Sequence, residues 1–325
     1  MYLEKKKIFL AGATGMVGSG IIEYLLRNFP GTRIRAAYYK NTKPFIHDKR
    51  IEYVFCDLLS DKDCLRAAKG CDCAVMAAAV PENAATFSQG VNYFRGDNIL
   101  INLNMLKAFS AFKLERVVFL SSATVYSQAA GSLREDDMDL NQEPNARQFC
   151  TGWSFRFIEK MCRFWQEETR GGMIVLRLAN VFGPYARFDP KNSNFIPALV
   201  RKASRKIDPF IVWGAPEVVR DVLYREDAAA GIVCALNADN IKNDCFNLGS
   251  GVATKVSDVV KCAITCAGYF PKIKYDKNGP VTVKARILDV SKISRLLSWR
   301  AQVTPKEGIR KTFQWWQENK RRWKK

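Results

Sequence analysis

Gly12-Ala13-Thr14-Gly15-Met16-Val17-Gly18 stands between a short β-rich run, Lys7–Ala11, and a helical pattern, Met16–Asn28. Three glycines in that setting narrow what the chain can become. Gly12 allows a tight turn, Gly15 lets the backbone approach a pyrophosphate, and Gly18 permits close packing of helix on strand. The helix that follows opens with unpaired N–H groups and a partial positive charge, the ingredients of an anion site. A strand, a glycine turn and a helix in this order point to a parallel α/β sheet with a dinucleotide at its edge.

The first half of the chain keeps that rhythm. Ile34–Tyr39, Ile51–Phe55, Ala74–Ala79, Val117–Ser121 and Met173–Leu178 read as further strands, and Asn98–Phe112 and Trp153–Thr169 have helical apolar spacing. The expected fold is α/β, a Rossmann-type doubly wound parallel sheet. After Gly183-Pro184 the rhythm loosens, and Pro190, Pro197, Pro209 and Pro216 punctuate loops. Residues 1–182 are therefore expected to form the dinucleotide-binding domain. Residues 183–325 would form a smaller α/β substrate-binding lobe, with segments that interleave with the first domain.

Composition excludes several classes. Hydrophobic residues make up 48% of the 325, enough for a sizeable core. No uncharged apolar run reaches the roughly 18–20 residues of a membrane helix, so no membrane partner is expected. The apolar stretch Ile8–Ala11 is too short for a secretory h-region, which favours a cytoplasmic protein. Ten cysteines without a CxxC pair, and one histidine, His47, argue against a metal and for buried reduced thiols. The net charge of +19 comes from 51 basic and 32 acidic residues spread along the chain. The densest cluster, Lys320–Lys325, continues a helical pattern. Specific nucleic-acid recognition is not expected, and an anionic small ligand accounts better for the charge.

Further motifs carry a resemblance. Cys56-Asp57-Leu58, Met76-Ala77-Ala78-Ala79, Asn98 and the run Arg177-Leu178-Ala179-Asn180-Val181-Phe182-Gly183-Pro184 are spaced along the chain behind a GxxGxxG loop. Together they resemble the extended short-chain dehydrogenase/reductase superfamily over nearly the whole length. The resemblance implies that Asp57 and Leu58 meet adenine and that Ala77, Ala78 and Ala79 pass under the cofactor. It also places Thr14, Met16, Val17, Asn98 and Ser121 at the cofactor. NAD-specific sites carry an acid about 20 residues past the glycines. Here Ala36-Ala37-Tyr38-Tyr39-Lys40 offers none, and Arg35 is close by. Arg35 and Lys40 could pair with a 2′-phosphate, which favours NADP over NAD.

Within the superfamily the chain is most similar to nucleotide-sugar epimerases and dehydratases, particularly GDP-fucose synthase-like proteins. That likeness implies a serine at the end of the fifth strand and a Tyr-x-x-x-Lys on the next helix. Ser122 fills the first position. At the second, Thr151 replaces the tyrosine and Phe155 the lysine, and no tyrosine lies between Tyr126 and Tyr185 to restore it. A phenol with a nearby cation can exchange a proton near neutrality, whereas a threonine beside a phenylalanine cannot. Thr124 and Asn194 stand where the fucose-synthase pattern has its cysteine and histidine. Cys150, Glu135, Asp136 and Asp137 are the local candidates for a replacement acid or base.

The substrate end is intact by the same likeness. Asn180, Lys202, Trp213 with Gly214, Arg220-Asp221 and Arg286 follow the family order, and Arg, Lys and Trp suit a diphosphate and a base. Two readings follow. One is an NAD(P)-dependent nucleotide-sugar epimerase or reductase with an altered proton relay. The other is a catalytically silent regulatory subunit that binds cofactor or sugar nucleotide. The resemblance also implies a homodimer formed by the helices at 98–112 and 153–169.

Overall fold

The computed structural model describes residues 2–39, 46–80, 96–127, 131–190, 193–276 and 283–323. Its strands are β1 (Lys7–Ala11), β2 (Arg33–Tyr38), β3 (Ile51–Phe55), β4 (Cys73–Met76), β5 (Arg116–Ser122), β6 (Ser132–Leu133), β7 (Gly172–Leu178) and β8 (Asn180–Phe182). They continue as β9 (Phe210–Trp213), β10 (Val219–Arg220), β11 (Val222–Tyr224), β12 (Asn243–Leu248), β13 (Thr254–Lys255), β14 (Ile273–Asp276) and β15 (Ala285–Leu288). The helices are α1 (Met16–Asn28), α2 (Asp61–Ala68), α3 (Asp97–Ala111), α4 (Phe149–Thr169), α5 (Phe195–Ser204), α6 (Arg225–Asn237), α7 (Val256–Ala267), α8 (Ser291–Leu297) and α9 (Pro305–Asn319).

Seven strands form one sheet in the order β12-β7-β5-β4-β1-β2-β3, and each neighbouring pair is parallel. The near-continuous apolar runs of β1 and β4 are what a strand covered on both faces requires. Ile21, Ile22 and Leu25 of α1 join Ile232, Val233 and Leu236 of α6 in the core on one face. Met105, Phe109, Ile158 and Trp165 of α3 and α4 belong to the core on the other. All carboxyl ends of the strands therefore share one edge, and the order reverses direction between β1 and β4, which opens a crevice there.

The sequence pattern missed α2. It is only eight residues, opened by Ser60, whose hydroxyl accepts from Asp63 N, with Asp61 and Asp63 in the first turn. Helix α4 begins at Phe149, one turn before the expected Trp153, because the 3₁₀ turn Ala146–Gln148 feeds straight into it. Residues 225–248 return to the first unit as α6 and β12. In the other direction β6 joins β15, β10 and β13 in a four-stranded sheet. The rest of the lobe packs α5, α7 and α9 around Phe188, Phe210 and Trp316.

Candidate active site

The glycine loop is packed as its residue types demand. Gly12 has φ +76°, and a Cβ there would stand 2.6 Å from the Ala77 carbonyl oxygen. A Cβ on Gly18 would be 2.2 Å from the Gly12 carbonyl oxygen and 2.8 Å from Ala13 Cα. Ala13 N donates to Ala37 O at 3.3 Å and Gly15 N to Gly12 O at 3.0 Å, so the loop is clamped between β2 and the segment after β4. Helix α1 has no side-chain cap and no acid in its first turn, so its leading N–H groups and dipole lie open to an anion. Gly15 is exposed, and Thr14, Met16 and Val17 are half-buried around it.

The neighbouring cofactor candidates are gathered at the same edge. Asp57 ends the turn after β3, its Oδ1 accepting from Leu59 N at 3.0 Å, and Leu58 O accepts from Asn104 Nδ2 at 3.1 Å. Asn98 is buried and brackets Val80, accepting from its N–H at 2.7 Å and donating to its carbonyl at 3.2 Å. It thus fixes the stretch that carries Ala77, Ala78 and Ala79. Sequence reasoning missed the aromatic group at this edge: Tyr38 and Tyr39 lie 6.0 and 5.8 Å from Phe55 between ring centroids.

Arg35 is not brought to the glycine loop. It pairs in register with Phe9 and Glu52, three residues short of the end of β2. Its guanidinium binds Glu52 Oε2 at 3.0 Å and the carbonyls of Ala67 and Lys69 at 3.1 and 2.5 Å. Those carbonyls lie at the C-terminal end of α2, on the side where β4 starts. Lys40 lies outside the described residues. Arg225, which the sequence did not flag, does reach the loop. It donates to Met16 O at 3.0 Å and pairs with Glu23 at 2.5 Å, tying α6 to α1.

At the end of β5 the two serines part ways. The buried Ser121 hydroxyl donates to Glu159 Oε1 at 2.5 Å. Glu159 in turn holds Arg177, with Nε at 3.1 Å and Nη2 at 2.8 Å. Ser121 is therefore engaged behind the site. Ser122 Oγ accepts from Thr124 N at 3.2 Å, which fixes the 3₁₀ turn Ala123–Val125. Gly152 lets α4 settle on that turn, since a Cβ there would be 2.7 Å from the Thr124 carbonyl oxygen. Thr151, one residue before this contact, is brought to the turn that carries Ser122 and Thr124. The Thr124 hydroxyl is buried and has no hydrogen-bond partner among the described residues.

Phe155 lies one turn further along α4. It is half-buried, tilted against Phe119 at 6.1 Å, and packed with Ala123, Val125 and Leu133. Phe155 is thus an apolar plug one turn from Thr151. Tyr126, in the same cluster, is spent in the core. Its hydroxyl donates to Asn247 Oδ1 at 2.5 Å, and burial pushes its ionisation well above the usual tyrosine range. Of the loop acids, Glu135 accepts from Asn247 N at 2.7 Å and Asp137 from Arg134 N at 2.7 Å, while Asp136 and Cys150 are exposed. Asn194 stands exposed at the N-terminus of α5, in the second lobe.

Two of the substrate candidates, Arg220 and Arg286, share one sheet. Arg220 of β10 and Arg286 of β15 are partners in a parallel register. Arg220 Nη1 donates to Val219 O at 2.8 Å, and Arg286 Nη1 to Gln148 Oε1 at 2.9 Å. Arg286 Nη2 is buried and unpartnered among the described residues. Burial pushes the Arg220 guanidinium down to about 10. Burial, with the like charge of Arg220, does the same to Arg286. Gln148 immediately precedes α4, so this pair faces the helix that carries Thr151. Asp221, expected at the nucleotide, is instead a structural knot. Its carboxylate accepts from Ser250 N and Oγ, Gly251 N and Leu288 N. Asn180 Nδ2 donates to Asp221 O at 3.0 Å. Lys202 donates to Ile211 O at 2.8 Å, two residues before Trp213, which is 53% exposed.

Comparison with known proteins agrees with this geometry. Residues 8–249 match the NAD dependent epimerase/dehydratase family. The GDP-L-fucose synthase of Escherichia coli (strain K12) is 24% identical over 349 residues, covering 99% of this chain and 100% of that protein. An epimerase structure from Methanothermobacter thermautotrophicus superposes with a TM-score of 0.86 at 21% identity, covering 98% of this chain and 94% of that one. The UDP-glucuronic acid 4-epimerase of Bacillus cereus, solved with UDP-glucuronic acid and NAD, gives a TM-score of 0.83 at 21% identity over 96% and 99%.

Proposed function

The chain belongs to the NAD dependent epimerase/dehydratase family, and on that footing we propose that it binds NAD(P) and a nucleotide-diphosphate sugar. Its activity would be that of a nucleotide-sugar epimerase or reductase with an altered proton relay. The observation that carries the substrate half is the adjacent pair of half-buried Arg220 and buried Arg286, with Arg286 Nη2 unpartnered among the described residues. Two desolvated cations side by side are costly unless a ligand brings the counter-charge, and a diphosphate brings two. Trp213, exposed beside Lys202, offers a face for the base.

The residues present fit a dinucleotide. Gly12 and Gly18 let the loop pack tightly against Ala77 and α1 with no room for a Cβ, and the uncapped, acid-free end of α1 suits a pyrophosphate. Bound NAD(P) would supply the hydride acceptor or donor. NADP remains the favoured form because no acid ends β2 and Lys40 follows it. Arg35, held by Glu52, drops out of that argument.

The altered relay rests on hydroxyls. Ser122, Thr124 and Thr151 can orient a sugar alcohol or carbonyl and pass a proton between partners, but none holds a negative charge near neutrality. Phe155 in its apolar cluster favours the second reading, a silent binding subunit. Fluorescence titration of NADPH, then NADH, followed by a screen of UDP- and GDP-sugars, separates the cases. Saturable binding with turnover supports the enzyme. Saturable binding without turnover supports the silent subunit, and no binding of either cofactor sinks the enzyme and leaves the subunit reading.

A homodimer through α3 and α4 is supported by Leu100, Phe157 and Phe164, which are 51%, 42% and 58% exposed on those helices. Light scattering tests it. A cytoplasmic setting is supported by ten free cysteines.

A further inference from the structure

In the second lobe two turns lie side by side, residues 205–209 between α5 and β9 and residues 268–272 between α7 and β14. Tyr269 Oη donates to Ile207 O at 3.2 Å, Lys272 N to Asp208 Oδ1 at 3.0 Å, and Phe210 N to Lys272 O at 2.9 Å. The two turns are thus one ordered tip. Phe270 at its end is fully exposed, at 101%, and Ile207 and Ile273 are each 37% exposed. Ile211 extends the apolar strip along the outward face of β9. Arg205, Lys206, Lys272 and Lys274 are exposed around these side chains. The two turns hold a single carboxylate, Asp208, which already accepts a backbone N–H.

None of these groups serves the glycine loop or the arginine pair. A clustered apolar surface rimmed by cations marks a contact site. We propose that this tip docks the protein on the surface of a bilayer containing anionic lipid. Phe270, Ile207 and Ile273 would enter the interface while the four cations meet the headgroups. The charge complementarity selects the partner's sign, and the shape selects its kind. A convex tip with a protruding phenyl ring sinks into a fluid interface, whereas a folded partner would need a matching cavity. Aromatic and aliphatic side chains with Lys and Arg beside them are the composition of interfacial anchors. Among the described residues no helix is long and apolar enough to cross a membrane, so the contact is peripheral.

The test is co-sedimentation of the full chain with vesicles of phosphatidylcholine alone or mixed with phosphatidylserine. The overall charge of +19 would by itself attract anionic vesicles, so the deciding variant is Ile207→Ser with Phe270→Ser, which leaves charge unchanged. The parent protein should partition onto the mixed vesicles only. The double-serine variant should lose at least about tenfold of that partitioning, the worth of burying two large apolar side chains. Lys206→Glu with Lys272→Glu should weaken binding and flatten its salt dependence. NADPH titration without vesicles should be unchanged in both, which verifies folding. Equal partitioning of the parent and double-serine proteins, or no preference for phosphatidylserine, overturns the proposal.

Discussion

Replacing Arg286 by methionine should raise stability and lower substrate affinity. Arg286 is 8% exposed and lies beside Arg220, with no carboxylate on its guanidinium among the described residues. A fall from 12.5 to about 10 corresponds to roughly 3 kcal/mol against the charged form. Methionine has a similar length and no charge, so it removes that penalty. It also removes the bond to Gln148, worth about 1–1.5 kcal/mol, although half-buried Gln148 can turn to water. The expected balance is a gain of about 1–2 kcal/mol, as when buried ionic groups are exchanged for apolar ones of like volume. In thermal unfolding that is a rise of about 1.5–3 °C.

Affinity should move the other way. A charge-assisted hydrogen bond to phosphate contributes about 1.5–3 kcal/mol, so calorimetric titration of UDP- or GDP-sugars should show a loss of about 10- to 100-fold. Arg205→Met removes an exposed cation of the same lobe and should leave both quantities nearly unchanged. Opposite signs in one variant are hard to obtain by general damage. A lower melting temperature with unaltered affinity would refute the reasoning and make Arg286 a structural residue.

Gly18→Ala should weaken NADPH binding at least about tenfold, because its Cβ would lie 2.2 Å from the Gly12 carbonyl oxygen and must push the loop off α1. Unchanged fluorescence titration would contradict the close-packing argument. Stability should fall as pH rises above 10.0, the ordinary tyrosine value, because native Tyr126 keeps its proton while the unfolded chain loses it. Tyr126→Phe should reduce that slope between about pH 10 and pH 12 in thermal unfolding, and an equal slope would count against it. Thr151→Tyr combined with Phe155→Lys should raise hydride transfer by about 10²–10⁴ over the parent in single-turnover assays with NADPH and keto-sugar nucleotides. No gain in a folded, cofactor-binding double variant would mean that the relay is not what limits the chemistry.

The parts that were legible in the sequence are those set by local backbone demands. Gly12 and Gly18 announce their turn and helix contact because the atoms they avoid are within the loop or just across from it. Arg35 was misread because distance along the chain does not tell which end of a strand a side chain serves. Its register with Phe9 and Glu52 leaves it three residues short of the edge, and its guanidinium turns to the carbonyls of Ala67 and Lys69. Arg225 carries no local signal at all, since its partners Met16 and Glu23 are more than 200 positions away. Asp221 looked like a ligand because Arg-Asp is a recognition pair, yet four donors already surround its carboxylate.

The two ends of the site are also physically separable, which explains how one can change while the other persists. Asp221 fixes Ser250, Gly251 and Leu288, and its own carbonyl receives Asn180, so the strand carrying Arg220 is held without help from α4. On α4, Phe155 adds to the apolar cluster of Phe119, Val125 and Leu133, where a lysine would have to lift its ammonium to a polar edge. Phe155 therefore contributes packing where a lysine would contribute a charge. Under the proposed function, binding of a diphosphate would not depend on this position, because Arg220 and Arg286 stand on β10 and β15. The restoring double variant then isolates the relay, since neither substitution touches the arginine pair.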